Sequence, residues 1–347
     1  MSSTASIYVV SGGAGFIGSH LVDALLADPR TAEVRIVDNF SSGRREHLVQ
    51  HRDDRRLKIH EEDLLNLTRI LPVFPGADCV YHLAANPDAR WGIENTRLDL
   101  EQETIATYNV LEAMRLNQCK RILLSSSGTV YGDIGTEPAL ETRGPALPIS
   151  LYGAGKVASE ALISAFCGTF GFSGMILRFG NIVGQRTTHG VIFDFIRKLA
   201  ADSSILPVLG DGLQAKPYVY VLDLVAALRF AEQLLLSLPP ARCEPFNVAP
   251  HDATTVKHIA ETLLSCLGLL GETGIRYGDT PHGWPGDVAQ SRMDATRLEH
   301  AGFRLPRTSN EAVETAIRAI LGWLRTRPAA EDGFKLPPSV RSFDAAS

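Results

Sequence analysis

The sequence predicts an α/β protein, a doubly wound parallel sheet with a smaller α/β lobe beside it. Three observations predict it. Short β-branched runs alternate with longer stretches of helical period as far as about residue 180, which is βαβ rhythm. Crossovers of that length make neighbouring strands parallel and right-handed, so helices cover both faces. A glycine cluster, Gly12-Gly13-Ala14-Gly15-Phe16-Ile17-Gly18, joins the first apolar run to the first helical one, where such sheets seat a phosphate.

The first strand is the apolar run 7–11, and the helix at 16–27 that follows carries its apolar stripe on Phe16, Ile17, Leu21, Leu25 and Leu26. Further strands are expected at 34–38, 57–60, 79–83, 121–125 and 174–178, with helices near 97–117 and 152–170. Beyond 180 the rhythm loosens. Helical stretches at 191–201, 223–236 and 255–267 interleave with brief strands near 205–209, 218–221, 245–248 and 275–277. The expected organisation is a Rossmann-type dinucleotide-binding domain over 1–180 with some later segments returning to it, a substrate-binding lobe over 181–328 and a cleft between them. The segment 329–347, rich in Pro, Ala and Ser, reads as a poorly ordered tail.

Composition narrows the function. Hydrophobic residues make up 45% and charged residues 21%, as in ordinary globular proteins. Thirty-four basic against 39 acidic residues leave a net charge of −5 with no long basic run, so nucleic acid and anionic membrane are poor partners. The residues before the first strand lack a charged region followed by an apolar one, and no run approaches a membrane span, which predicts a cytoplasmic protein. Cys79, Cys119, Cys167, Cys243 and Cys266 are scattered and never in a Cys-x-x-Cys pair, arguing against disulfides or a metal site and for buried thiols.

In the glycine cluster, Gly12 permits the tight turn, Gly15 lets backbone approach a phosphate, and Gly18 lets helix pack on strand. Asp38 closes the second strand about twenty residues after the last glycine, where a carboxylate accepts from the adenosine ribose and repels a 2′-phosphate. The cofactor predicted is NAD rather than NADP. Arg44 and Arg45 lie past Asp38 in a polar loop and read as solvated charge rather than as a phosphate clamp. Asp63, after the third strand, reads equally as a contact to the adenine edge or as a helix N-cap.

A second signal is independent of the first. In Tyr152-Gly-Ala-Gly-Lys156 the Tyr and Lys stand four apart on a helix and share a face. A free phenol titrates near ~10, so a base near neutrality needs a shift of about three units, roughly 4 kcal/mol. The Lys156 ammonium and a positive nicotinamide ring can supply it jointly. Ser127 ends the run Ser125-Ser126-Ser127 at the carboxyl end of the fifth strand, where it can hydrogen-bond a sugar hydroxyl or carbonyl.

Taken together these residues resemble the extended short-chain dehydrogenases/reductases, and within them the nucleotide-sugar epimerases of the UDP-glucose 4-epimerase type. The resemblance runs from about residue 7 to 325. Besides the glycine turn and Tyr152–Lys156, it rests on the stretches 37–43, 82–86, 109–113, 125–132 and 178–181, on Gly210-Asp211-Gly212 through Asp223, and on Gly286-Asp287-Val288. The resemblance implies Tyr152 as base, Lys156 on the nicotinamide ribose and Ser127 at the reacting oxygen. It lines the cofactor with Gly12, Gly15, Phe16, Ile17, Gly18, Asp38, Asn39, Ser41, Gly43, Asp63, Leu64, Leu83, Ala84 and Ala85 as well as Tyr152 and Lys156. It lines the substrate, a UDP-sugar by this resemblance, with Asn86, Ser127, Thr129, Asn181, Val191, Lys216, Asp287 and Ser291. It also implies a homodimer through the helices near 97–117 and 152–170.

The same scaffold supports several reactions. Dehydratases resemble Thr-Asp-Glu-x-Tyr-Gly and decarboxylases Thr-Ser-Glu-Val-Tyr-Gly at the serine motif, whereas this chain has Gly128 and Thr129 where those carboxylates stand. Without an acid or base there, oxidation and return of hydride at C4 is the favoured chemistry. Lys216-Pro217 replaces an Arg-Asp pair, keeping charge without the bidentate fork, and Trp284-Pro285 stands where an Arg often precedes Gly-Asp-Val. Ser291 occupies the position of a residue that gates the hexose pocket, and a small residue there leaves it permissive. Arg292 faces either a substrate carboxylate or solvent, Trp284 either stacks on a ligand or packs, and His189 and Arg186 either bind anion or decorate a loop. The alternatives are another nucleotide-sugar enzyme, such as a uronate epimerase or a 4-ketosugar reductase, and a non-catalytic NAD-binding protein.

Overall fold

The structure, a computed structural model, describes residues 5–326, so the tail expected from residue 329 lies outside the described residues. Seven strands form one all-parallel sheet: β1 (Ser6–Ser11), β2 (Thr31–Asp38), β3 (Leu57–Glu61), β4 (Cys79–His82), β5 (Arg121–Ser127), β6 (Ser173–Phe179) and β7 (Arg242–Val248). Their order is β7-β6-β5-β4-β1-β2-β3. The order reverses between β1 and β4, so the carboxyl ends of those two strands border the crevice where such sheets bind ligands.

Burial explains the pattern of each strand. All seven residues of β6 are buried, which a strand covered on both faces requires. One face packs on α1 (Phe16–Ala27), through Leu21, Val22 and Leu25 against Val10, Ile36 and Tyr81. The other packs on α2 (Ala106–Leu116) and α3 (Leu151–Phe170), through Val110, Met114, Ile163 and Phe166 against Val9, Val80 and Ile122. Each such side chain contributes about 1.5–3 kcal/mol by leaving water.

A third cluster makes the lobe, from α4 (Val191–Ala201), α6 (Val256–Cys266) and α7 (Ser309–Thr326), packed through Phe195, Leu199, Leu263, Val313 and Ile317. Two segments after residue 180 return to the sheet. The strand near 245–248 is longer and pairs with β6 along seven residues as β7, and α5 (Val221–Ser237) buries Leu224, Leu228 and Leu235 with the α1 face. Asn181–Val183 pairs with Tyr218–Tyr220 and Ala215–Lys216 with Thr254–Thr255 at the cleft, and Ile205–Pro207 pairs with Gly274–Arg276 within the lobe. No helix among the described residues is long and apolar enough to cross a membrane.

Candidate active site

A cleft of about 530 Å³ runs from the carboxyl ends of the strands into the lobe. At its cofactor end the backbone approaches closer than any side chain would allow. Gly12 has a φ of +71°, and a Cβ on it would lie 2.8 Å from the Ala84 nitrogen. A Cβ on Gly18 would lie 2.1 Å from the Gly12 carbonyl oxygen, so α1 starts hard against the turn. Gly15 caps α1 without a side chain, and its first turn carries no acidic residue. The leading amides of α1 therefore lack side-chain partners, and Gly15, Phe16, Ile17 and Gly18 line the cleft, a fit for a pyrophosphate.

Asp38, at the end of β2, accepts from the Ala14 amide at 2.9 Å and from the Phe40 amide at 2.9 Å, keeping lone pairs for a diol. Burial raises its pKa, and the two amides oppose the rise. Arg44 and Arg45 do not line the cleft, and Arg45 pairs with Glu61. Asp63 accepts from the Leu65 amide at 2.8 Å and from Asn39 Nδ2 at 3.2 Å while lining the cleft with Leu64. It is not the helix cap, because Asn66 caps the next turn by accepting from the Arg69 amide. Asn39, Ser41, Leu83, Ala84 and Ala85 line the same end. Gly43 does not: it stands behind Asp38, and a Cβ there would meet Oδ1 at 2.6 Å.

The serine run and α3 build the centre. Ser125 donates to the His82 carbonyl at 3.1 Å and Ser126 to Glu160 at 2.5 Å, both pointing inward. Ser127 alone of the three is only partly buried; its Oγ accepts from the Thr129 amide at 3.2 Å, leaving its proton to give. Helix α3 starts where Ser150 Oγ accepts from the Gly153 amide at 3.1 Å, and stops at Gly171, whose φ is 69°. Both glycines of Tyr152-Gly-Ala-Gly-Lys156 permit close packing: a Cβ on Gly153 would lie 2.9 Å from the Thr129 carbonyl oxygen, and one on Gly155 2.7 Å from Glu103 Cβ. Lys156 Nζ stands 5.5 Å from the Tyr152 ring centre. Burial pushes the Tyr152 phenol up to about 12, with Lys156 pulling down and Glu103 and Asp99 pushing further up.

Glu103 is the residue that sequence reasoning missed. Its Oε2 lies 2.7 Å from Lys156 Nζ, both side chains sealed from solvent. A recoverable signal exists: Asp99 and Glu103 fall on the same helix stripe as buried Thr107, Val110 and Met114, and an acid on an apolar stripe needs a partner. Asn86 was expected to touch substrate. It borders the cleft, yet its Nδ2 donates to Asp99 Oδ1 at 2.8 Å and its Oδ1 accepts from the Asp88 amide at 3.2 Å, so the side chain is committed to the protein.

At the lobe end, Thr129, Asn181, Val191, Lys216 and Asp287 line the cleft, joined by Trp284 and His189. Lys216 pairs with Asp287, whose Oδ2 also accepts from the Gly283 amide at 3.0 Å. Burial lowers the His189 pKa. Ser291, expected beside the sugar, is outside the cleft lining, its amide bonded to the Ala215 carbonyl at 2.9 Å, and Arg292 is exposed outside it. Arg186 pairs with Asp23 at 2.8 Å. The Gly128 position is filled from behind, because a Cβ there would lie 2.8 Å from Met293 Sδ.

A glycine-shaped helix start, a buried carboxylate and a tyrosine-lysine pair share one cleft, an arrangement that can seat a dinucleotide beside a proton-transfer pair. Residues 8–248 match the NAD dependent epimerase/dehydratase family, and the chain belongs to it. NAD is its cofactor. The chain is 29% identical over 322 residues to a putative UDP-glucose 4-epimerase of Methanocaldococcus jannaschii, covering 91% of this chain and 98% of that one. It is 33% identical over 270 residues to UDP-glucuronic acid decarboxylase 1 of Danio rerio, covering 75% of this chain and 60% of that one. The solved structure of a UDP-galactose 4-epimerase matches with a TM-score of 0.80 at 36% identity, covering 90% of this chain and 98% of that one.

Proposed function

We propose that this protein is a nucleotide-sugar 4-epimerase acting on a UDP-sugar, with NAD retained between turnovers. The observation that carries this reading is the absence of a carboxylate beside Ser127. Gly128 and Thr129 stand where elimination or decarboxylation would need an acid or base, and Met293 Sδ closes the space a side chain at Gly128 would use. What remains in the lining there is the Tyr152 phenol, the Lys156 ammonium and the hydroxyls of Ser127 and Thr129, which suffice to move a proton on and off a sugar oxygen.

The glycine turn and the start of α1 would hold the pyrophosphate of NAD, Asp38 its adenosine ribose, and Asn39, Ser41, Asp63 and Leu64 the adenine side. When bound, NAD supplies a reversible hydride acceptor. Tyr152, as phenolate, takes the proton of the sugar 4-hydroxyl; Ser127 donates to the same oxygen; and Lys156 holds the phenolate charge. The 4-keto sugar turns over in the cleft and is reduced on its other face, and Tyr152 returns the proton. Asn181, Lys216 and Asp287 hold the nucleotide diphosphate and its ribose, with Val191 and Thr129 against the remainder. Net redox is zero.

The reading extends to a homodimer of cytoplasmic location. Ile105, Tyr108, Leu116, Leu151 and Phe170 are exposed on the two helical regions expected at the interface. The only charged residues of α3, Lys156 and Glu160, are buried, which leaves its outer face uncharged.

The test is to incubate purified protein, without added cofactor, with UDP-glucose, UDP-N-acetylglucosamine and UDP-glucuronate separately, resolving products by chromatography with mass detection. A new peak of unchanged mass is expected with at least one. Loss of water or carbon dioxide would overturn the reading of Gly128 and Thr129, and a requirement for stoichiometric added nicotinamide would replace epimerisation by net reduction.

A further inference from the structure

We propose that Glu103 is a positioning residue of the active site: through its ion pair with Lys156 it sets the pH at which Tyr152 becomes a base. The proposal rests on the reading of Tyr152 as the base.

The geometry is closed on every side. Glu103 Oε2 lies 2.7 Å from Lys156 Nζ, and Oε1 accepts from the Asn86 amide at 3.0 Å. Glu103 and Lys156 are each 1% exposed. Asn86 also holds Asp99 at 2.8 Å, and Asp99 Oδ2 has no hydrogen-bond partner. Glu103 reaches Lys156 because Leu100–Ile105 is a π-helical turn between the helix Thr96–Asp99 and α2. Such turns re-aim side chains and recur at functional sites. Gly155 admits the contact, since a Cβ there would lie 2.7 Å from Glu103 Cβ.

The charges facing the phenol decide the consequence. Lys156 and Glu160 stand on α3, with Glu160 paired to Arg178 of β6 at 2.6 Å. Asp99 and Glu103 come from the helical region packed against α3. From β4 comes His82, held between Ser11 and Thr107; burial first and the Lys156 charge second depress it to about 3, so it is neutral. The Lys156 ammonium is thus the charge that pulls the phenol down, and Glu103, paired with it, opposes that pull. Burial acts against the Lys156 ammonium, and the charges of Glu103 and Tyr152 outweigh it and hold the proton. The pair is sealed, which suits a cycle in which Tyr152 takes and returns one proton without drawing on solvent.

The experiment labels tyrosine at Cζ with carbon-13 and follows ionisation of the Tyr152 phenol by NMR in NAD-loaded protein without substrate, assigning its signal by loss in Tyr152→Phe. In Glu103→Gln the phenol should ionise about one pH unit lower, a tenfold change in proton affinity. Circular dichroism and NAD content establish that the variant is folded and loaded. If Glu103→Gln does not fold, Glu103→Asp, whose carboxylate withdraws from Nζ, should move the same signal in the same direction by less. An unchanged or raised ionisation in the folded variant would overturn the proposal and assign Glu103 a structural role. Because no substrate is present, failure to epimerise any sugar would leave this result standing.

Discussion

Among single residues, Tyr152 carries the heaviest demand. Its burial favours the neutral phenol, so the proton-taking form exists only while a cation faces it, and removing the hydroxyl should remove chemistry without removing binding. Tyr152→Phe is expected to lower kcat by about 10²–10⁴-fold. NAD released on denaturation should match the parent, because the glycine turn and Asp38 are untouched. A variant that lost NAD together with activity would make Tyr152 a binding residue instead. Ser127 makes a complementary case at the same scale. Three consecutive serines look alike in the sequence, and only their partners separate them: Ser125 and Ser126 are bonded inward to the His82 carbonyl and Glu160, and Ser127 is left for a ligand.

Helices act here through what they allow close to them. Gly155 lies on α3 where it meets the π-helical turn, and a Cβ would face Glu103 Cβ at 2.7 Å and the Asp99 carbonyl oxygen at 3.1 Å, neither a flexible chain end. Gly155→Ala should destabilise by about 1–3 kcal/mol through overpacking. Gly322→Ala is the control of opposite sign, because no atom of the described residues lies within 4 Å of its Cβ position on α7, and relief of glycine's backbone entropy should stabilise by roughly 0.5–1 kcal/mol. Thermal unfolding of both variants reads the difference, and equal shifts would remove close packing as the reason for Gly155. Elements were legible in the sequence where their period was strong: α1 and α4 keep the predicted bounds, since their apolar stripes and flanking glycines are local signals. The return of α5 and β7 to the sheet was not legible at their positions, because a strand's sheet is chosen by long-range pairing that its own residues do not encode. The glycine turn and the Tyr152–Lys156 pair were legible because each motif is local, whereas Glu103 joins Lys156 only through packing of two helices far apart in sequence. Ser291 shows the reverse limit, a motif position that the backbone places outside the cleft lining.

The whole molecule is arranged so that one face of the sheet is closed by α1 and α5 and the other by α2 and α3, while the outer side of α3 is covered by nothing among the described residues. That side carries Leu151, Ala154, Ala161, Ser164 and Ala165, all exposed and all uncharged. An uncharged stripe along a 20-residue helix, with Ile105, Tyr108 and Leu116 exposed beside the Glu112–Arg115 ion pair of the neighbouring helical region, is unusual for a surface facing water. It suits a second copy of the chain, because a two-fold contact of helices buries the same stripe on both partners and needs only about 800 Å² from each. Ala161→Arg places one charge at the middle of this face, and in the dimer two such charges would be buried together without partners. The expected outcome is a parent protein of dimer mass by light scattering and a variant of monomer mass at the same concentration. The cleft is lined from within one chain, so the monomeric variant should still hold NAD, separating assembly from cofactor binding. A monomeric parent, or a variant still dimeric, would mean that α3 is not the interface, and the search would pass to Leu209, Leu213 and Leu270, exposed on the lobe.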